Sequence, residues 1–449
     1  MEKIIIIGGG IAGTAAAISA RRTNGNVQIQ VIDHERYMQY SRCGLPYLVS
    51  GEVKEWTELI QQDEDLLRKR LGIELYLSTS VKKVDTSNNR LIAVDLTGKE
   101  RMLDYSKLVF ATGAIPIRPT VKGINLENIF EMRKIDDALK LMDLVKRRKR
   151  AVVVGGGLVS VETAEAITKK GGKVTIIFEE DEILSLIFDD YIGRMIRNKL
   201  EENGIEVVSS SKIEQFYGIN RVEAVKADGA IFPCDFVILA TGVKPNTELA
   251  REARIRLGKH DGIIVNKRMK TEADNIYAAG DCVEINDFIT NQSIPFQLAT
   301  TAYREGEVAG ENVSGGNRSI QDMVSNVCVK IFDIELASVG ITCRDAVKNR
   351  IDVLQSNVET EDKIRYFPTK KKLWTSLLFN KKDNRLIGAQ FAGEKAAVWG
   401  DFAALAVLKM MDIDELADFN TSYSPAVENF WTGITTAARR LRSSRENIS

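Results

Sequence analysis

The sequence predicts an α/β chain with two Rossmann-like, three-layer units and a C-terminal α+β unit. Three observations predict it. A β-branched strand, a glycine cluster and a helix follow one another at the N-terminus, and the same succession returns roughly 147 residues later. After about Ser314-Gly315-Gly316-Asn317 the pattern changes to alternating strands followed by a helical stretch, as in an α+β unit.

The elements can be justified in order. Ile4–Ile7 is a β-branched run, Ala12–Arg22 has helical composition, and Val27–Ile32 reads as a second strand. Leu108–Ala111 is a buried strand ending at Thr112-Gly113, with Pro116 and Pro119 just beyond. The repeat consists of Ala151–Val154, the turn Gly155–Gly157, the helix Val159–Lys170 and the strand Val174–Phe178. Phe236–Ala240 ends at Thr241-Gly242 with Pro245 beyond, and Ile276–Ala279 ends at Gly280-Asp281. The two strand ends followed by prolines are expected to be where the chain crosses between units. Strands at Val327–Phe332 and Leu373–Phe379 and a helix near Ala396–Met411 make the last unit.

Composition narrows the function classes. The 449 residues are 44% apolar and 28% charged, ordinary for a chain with a large core. Lys+Arg and Asp+Glu both number 62, so no global field favours nucleic acid or an anionic membrane. The basic run Lys146–Arg150 is expected to close a surface helix. The five cysteines, Cys43, Cys234, Cys282, Cys328 and Cys343, form no C-x-x-C pair and no zinc-ligand pattern. With no signal peptide, transit peptide or long apolar span in the sequence, a reducing, cytoplasmic setting is expected.

Gly8-Gly9-Gly10-Ile11-Ala12-Gly13 satisfies G-x-G-x-x-G between a strand and a helix, the context that motif needs. Gly8 makes the tight turn, Gly10 lets backbone approach a pyrophosphate, and Gly13 lets helix and strand pack closely. The helix N-terminus offers free N–H groups to the phosphates. Asp33, 20 residues after Gly13, is placed to bind a ribose. The second loop, Gly155-Gly156-Gly157-Leu158-Val159-Ser160, has Ser160 at the third glycine position, small enough for close packing. Phe178 ends the following strand, and Glu179 and Glu180 come next; carboxylates there would repel a 2′-phosphate and favour NADH, with NADPH still open. Two such units can bind two dinucleotides.

Tyr40-Ser41-Arg42-Cys43-Gly44-Leu45-Pro46-Tyr47 begins seven residues after Asp33. Arg42 beside Cys43, and a helix start at the cysteine, would favour thiolate. Leu48 stands where a dithiol enzyme could carry its second cysteine, and the only histidines are His34 and His260. Cys43 is therefore expected to work alone, through a mixed disulfide, persulfide or sulfenic acid.

Together these residues resemble the single-cysteine branch of the FAD-dependent pyridine nucleotide-disulfide oxidoreductases, the group of coenzyme A-disulfide reductase, NADH oxidase, NADH peroxidase and persulfide reductases. The matching pieces are Gly8–Gly13, Arg42–Tyr47, Ala111–Gly113, Gly155–Glu162, Ala240–Asn246, Ile276–Asp281, Tyr366-Phe367-Pro368, Gly388-Ala389-Gln390 and Tyr423-Ser424-Pro425. The resemblance implies FAD on the first unit, with Asp281 on the ribityl chain, and NADH on the second, with Glu162 near the nicotinamide. It implies further cofactor contacts at Ile11, Ala12, His34, Arg42, Val81, Ala111, Thr112, Gly113, Gly242, Gly280, Leu298, Ala299 and Thr300. It also implies a homodimer in which the partner's Tyr423, or else Tyr366, approaches the cysteine. Arg22 and Arg42 are the substrate candidates; Arg22 either meets the phosphates of coenzyme A or is a solvated helix end. Peroxidase-type relatives carry a histidine where this chain has Ile11, which counts against peroxide chemistry.

The expected organisation is an FAD-binding domain split over residues 1–115 and 247–320, an NAD(P)-binding domain at 116–246 and a dimerisation domain at 321–449. The expected activity is NAD(P)H-dependent reduction of a small disulfide or persulfide. The alternatives are an NADH oxidase using oxygen and an electron-transfer subunit of a larger dehydrogenase.

Overall fold

The computed structural model describes residues 2–147 and 149–446. Arg148, within the basic run, lies outside the described residues; the rest of the run closes a surface helix and enters a strand.

In chain order, β1 (Lys3–Ile7), α1 (Ile11–Thr23) and β2 (Gln28–Ile32) come first, then a 3-10 turn at Arg42–Gly44 running into α2 (Leu45–Ser50). β3 (Ile73–Tyr76) is followed by β4 (Thr79–Asp85), β5 (Arg90–Asp95), β6 (Glu100–Asp104), β7 (Lys107–Phe110) and β8 (Ala114–Pro116). Next are β9 (Ile129–Glu131), α3 (Ile135–Arg147), β10 (Arg150–Val154), α4 (Leu158–Lys169), β11 (Lys173–Ile177), α5 (Asp190–Glu202) and β12 (Glu206–Val208). β13 (Ile213–Tyr217), β14 (Ala224–Ala227), β15 (Ala230–Pro233), β16 (Phe236–Leu239) and β17 (Val243–Pro245) lead to α6 (Glu248–Glu252), β18 (Ile263–Ile264), β19 (Ile276–Ala278), β20 (Val283–Asn286), β21 (Ser293–Ile294) and α7 (Ala299–Val313). The C-terminal unit holds β22 (Asn326–Ile331), β23 (Ile334–Gly340), α8 (Cys343–Lys348), β24 (Val353–Glu361), β25 (Lys372–Asn380), β26 (Leu386–Gly393), α9 (Ala396–Leu408), α10 (Ile413–Ala417) and α11 (Gly433–Glu446).

The first sheet runs β19-β7-β1-β2-β3 and the second β12-β11-β10-β16-β9, both parallel throughout. Their central strands are continuous β-branched runs because helices and meanders cover both faces, leaving no polar side to alternate with. In each sheet the chain order reverses beside the glycine loop, between β1 and β7 and between β10 and β16. A crevice opens at such a switch point. The last sheet, β22-β23-β26-β25-β24, is antiparallel and packs on α9 and α11.

The two proline-marked strand ends meet. β8 and β17 pair antiparallel, the Asn246 N–H donates to Gly113 O at 2.9 Å, and the Thr112 hydroxyl donates to Asn246 O. Outgoing and returning chain thus form one two-stranded hinge. The late helix stops at Leu408 rather than continuing to Met411. Met410 is left-handed with φ 57°, and Met411 N–H closes back on Ala406 O, which ends the helix. Among the described residues, no helix is long and apolar enough to cross a membrane.

α1 packs on α7 through a small-residue stripe that the sequence analysis did not single out. A Cβ on Gly306 would lie 2.3 Å from Ala12 O, and one on Gly310 would lie 2.1 Å from Ala16 O. Gly310→Ala should therefore destabilise the protein by about 1–3 kcal/mol through overpacking, although alanine favours an open helix by about 1 kcal/mol. A urea midpoint equal to or above wild type would contradict this close approach.

Candidate active site

The first glycine loop is built to receive a dinucleotide. Gly10 is the N-cap of α1, carries no side-chain cap, and faces open space. The first-turn N–H groups therefore point into the crevice, where a pyrophosphate fits. Gly13 is locked against Gly8 O, which a Cβ would strike at 1.9 Å. Asp33 ends β2 and accepts from Gly9 N–H at 2.5 Å and Glu35 N–H at 2.8 Å. Burial opposes its charge, but these bonds and His34, at 3.2 Å, outweigh burial and hold the carboxyl below its ordinary value. Ala111, Thr112 and Gly113 lie across the switch point, with Gly280 and Asp281 at the end of β19. Leu298, Ala299 and Thr300 begin α7, and Val81 sits at a bulge in β4, apart from the glycine loop in the chain.

The second loop repeats this geometry. Gly157 is the uncapped N-cap of α4 and faces open space. A Cβ on Gly155 would strike Ala240 O at 2.2 Å, as one on Gly8 would strike Ala111 O at 2.1 Å. Ser160 is fully buried, so a small residue serves at the third position. Leu158 and Val159 open α4, with Val159 exposed, and Gly242 lies across the switch point, where a Cβ would meet only Ile117 Cδ1 at 3.8 Å. The Phe178 ring lies against Gly156 and Glu179 is exposed beyond it.

Cys43 occupies the 3-10 turn before α2 and is exposed. The helix beneath it shares a core with the second unit: Leu45, Leu48 and Val49 cluster with Val161, Ala164 and Ile167 of α4. Arg42 acts on the thiol in the expected direction but is mostly engaged elsewhere. The Arg42 guanidinium pairs with Glu35 at 3.0 Å and donates to the Tyr40 hydroxyl and Arg133 O, both at 2.9 Å. Although the residue is solvent-accessible, the protein packed around its sulfur disfavours the thiolate and raises the Cys43 thiol, as do the charges of Glu162 and Asp281; the turn's backbone and Arg42 only partly offset them.

Three acids surround this region, and sequence reasoning missed one of them. Burial raises Asp281, partly countered by Arg133 at 4.0 Å and by Arg42. Burial, with the neighbouring Glu165 charge, pushes Glu162 up to about 7. Glu305, on α7, is 2% exposed and accepts from Gly280 N–H at 2.6 Å. Burial raises it to about 8, with the Asp281 charge adding to the effect. Its sequence setting, Tyr303-Arg304-Glu305-Gly306-Glu307, looks like a solvated helix face, so no local signal marks it.

The structure does not bring every candidate to Cys43. Tyr366 and Tyr423 are exposed on the C-terminal unit, where the hydrogen bond between them raises the Tyr423 phenol; neither is among the groups whose charges act on Cys43. Arg22 is exposed at the end of α1.

Comparison with known proteins agrees with this geometry. A family model described as pyridine nucleotide-disulphide oxidoreductase matches residues 2–306, and one for the dimerisation domain of the same enzymes matches residues 327–433. The chain is 34% identical to an NADH oxidase of Methanocaldococcus jannaschii, covering 97% of this chain and 98% of that one. It is 30% identical to an NAD(P)H coenzyme A polysulfide/persulfide reductase of Pyrococcus horikoshii, covering 98% of each chain. It superimposes with a TM-score of 0.96 and 31% identity on an NAD-dependent persulfide reductase from A. fulgidus, over 99% of this chain and 84% of the other.

Glu305 provides a test of this electrostatic environment. Its proton is bound in folded and unfolded chains below about pH 4.5. Between there and about pH 8 only the folded chain keeps it, so this contribution is lost as pH rises through that window. Glu305→Gln removes the titration. Its Tm relative to wild type, both saturated with FAD, should rise on the order of 5 °C from pH 5 to pH 9. A difference that does not change with pH would show that Glu305 does not hold its proton in the fold.

Proposed function

The chain belongs to the pyridine nucleotide-disulphide oxidoreductases, and we propose that it reduces a small disulfide or persulfide, coenzyme A disulfide first among them, through Cys43. It is an FAD-dependent oxidoreductase that uses NAD(P)H. The observation that carries the reading is the exposed Cys43 thiol at the head of α2, a helix that shares its core with α4 of the second unit. Leu48, one turn further along, is buried, so α2 offers no resolving thiol.

In this reading residues 1–115 and 247–320 bind FAD, residues 116–246 bind NADH, and residues 321–449 dimerise. The N–H groups that open α1 and α4 hold the two pyrophosphates, Asp33 holds the adenosine ribose and Asp281 the ribityl chain. Bound flavin supplies the two-electron exchange between nicotinamide and sulfur. Cys43 attacks the disulfide and keeps one half as a mixed disulfide. Arg22 reaches the phosphates of coenzyme A, and the partner subunit's Tyr423 protonates the departing thiolate. The hydrogen bond that the Tyr423 hydroxyl donates to Tyr366 raises the phenol, so it carries its proton at neutral pH. The dimer is supported by the match to a dimerisation domain and by the exposed apolar side chains Val427, Phe430 and Trp431 beside Tyr423.

A second reading, reduction of oxygen, is favoured by the relative named NADH oxidase. In that case Cys43 would cycle through sulfenic acid.

Anaerobic NADH titration separates these readings. Wild type first loaded as the Cys43 mixed disulfide should accept two electrons beyond those taken by its flavin, releasing the bound thiol, and Cys43→Ser treated alike should not. Coenzyme A disulfide should be reduced under argon, and the variant's rate should fall by a factor on the order of 10³. Identical titrations would remove the thiol from the reaction, and turnover only in air would favour the oxidase. Glu179→Gln should raise the preference for NADPH over NADH about fivefold, the scale of one exposed charge repulsion; unchanged kcat/KM ratios would exclude Glu179 from that selection.

A further inference from the structure

We propose that Glu305 is a positioning residue for the flavin: as a neutral acid it holds the Gly280-Asp281 turn against the opening of α1, and its ionisation weakens the hold on FAD. This rests on FAD occupying the first glycine loop.

The carboxyl group lies where the first cradle is assembled. Glu305 is 2% exposed and accepts from Gly280 N–H at 2.6 Å. Gly280 is left-handed, with φ 86°, and a Cβ there would lie 2.7 Å from Ala12 Cβ. Gly306, next to Glu305 on α7, is pressed against the backbone of the same alanine. Ala12 is the second residue of α1, and the uncapped N–H groups that suit a pyrophosphate belong to that turn. Glu305, Gly280 and the first turn of α1 therefore pack as one body. Gly280 leads directly into Asp281, the residue assigned to the ribityl chain.

No cation pairs with Glu305 among the described residues. Where α1 meets α7 it presents Ala12 and Ala16. β7 presents the buried Leu108, Val109 and Phe110, and its Lys107 is paired with Glu2 at 2.7 Å. On α7 itself Arg304 is exposed, and Glu307 lies 3.6 Å from Arg318. Beyond β19, Cys282 is buried with its thiol pushed up to about 11, so it stays neutral. Asp281 is the charge that acts on Glu305, and Arg133, at 4.0 Å, partners Asp281. A buried carboxyl with one N–H donor and no cation keeps its proton, because ionisation would strip its hydration without return. Burial and the Asp281 charge accordingly raise it to about 8.

The pyrophosphate of bound FAD brings further negative charge to the same turn. Glu305 therefore holds its proton more tightly in the loaded chain than in the empty one, and by linkage proton and flavin retain each other. Below about pH 8 the acid is neutral in both chains, and this group gives affinity no pH dependence. Above that value the empty chain loses the proton first, so binding FAD has to recover one. The carbonyl oxygen of the neutral acid still accepts from Gly280 N–H, and a glutamine side chain offers the same acceptor.

The test is FAD affinity against pH, read from the flavin fluorescence that appears when holoenzyme is diluted. Wild type should bind on the order of tenfold more weakly at pH 9 than at pH 7. Glu305→Gln cannot ionise; its affinity should match wild type at pH 7 and change less than about twofold by pH 9. Glu305→Leu, which removes the acceptor, should bind on the order of tenfold more weakly at both pH values. Circular dichroism establishes that the variants fold. Parallel pH curves for wild type and Glu305→Gln would overturn the proposal, since any common loss belongs to other groups. Equal affinities of Glu305→Gln and Glu305→Leu at pH 7 would overturn it too, by removing the hold on Gly280. Wild type that carried no FAD at any pH would instead fail the cofactor reading, and this inference with it.

Discussion

The contact between α2 and α4 is the constraint on which the site depends. Cys43 follows the first β-α-β unit in the chain, yet the helix beneath it is anchored in the core of the second. Six residues of helix bury too little surface to fold alone. Leu45, Leu48 and Val49 fix α2 only because Val161, Ala164 and Ile167 of α4 complete their packing. The thiol is therefore placed by two nucleotide units at once. Any side chain that widened the α2–α4 seam would move the sulfur relative to both cradles.

The same seam explains the charge pattern. A Rossmann helix opens with positive potential directed at phosphates, and carboxylates placed beyond its first turn lie between that potential and the core. Glu162 and Glu165 occupy those positions on α4. Lys169 and the Phe332 N–H neutralise Glu165, leaving Glu162 as the charge that acts on the thiol. On the first unit, Glu305 and Asp281 place two more acids near the α1 cradle, where burial disfavours ionisation and the phosphates would add further negative charge. In such a crevice Glu305, raised to about 8, holds its proton, and Asp281 is raised in the same direction with Arg133 as a partial counterweight. An unpaired carboxylate there would have to lose most of its hydration with no cation in return.

Most of the fold was legible in the sequence because its signals are local. A β-branched run, a glycine loop and a helical stretch each report their own backbone, and both glycine loops fell at switch points as the repeat implied. Thr112-Gly113 and Thr241-Gly242, each followed by a proline, mark in the sequence the two segments that pair as β8 and β17, but not their pairing. What the sequence hid depends on contacts between distant segments. Gly306 and Gly310 are recognisable as a packing stripe only once α1 lies on α7. Glu305 sits among charged residues and looks solvated until Gly280 closes over it. Arg42 acts on Cys43 in the direction its sequence position implies but is outweighed, for the same reason. Adjacency in sequence placed the cation beside the sulfur, but Glu35, seven residues earlier, competes for the guanidinium and wins with a charge-assisted bond that a neutral thiol cannot match.

That competition also bears on reactivity. A thiol held down by a permanent cation would be ionised at every working pH and paired with its counter-ion, a stable but sluggish nucleophile. Here the cation is shared with Glu35, and burial with the charges of Glu162 and Asp281 raises the thiol. The thiolate that forms is less stabilised and more basic, and therefore a stronger nucleophile toward a disulfide. Ionisation then follows the charge state of the crevice and no longer a fixed ion pair. Any event that adds negative charge near Cys43 drives the proton back onto sulfur, and any event that removes it releases the thiolate.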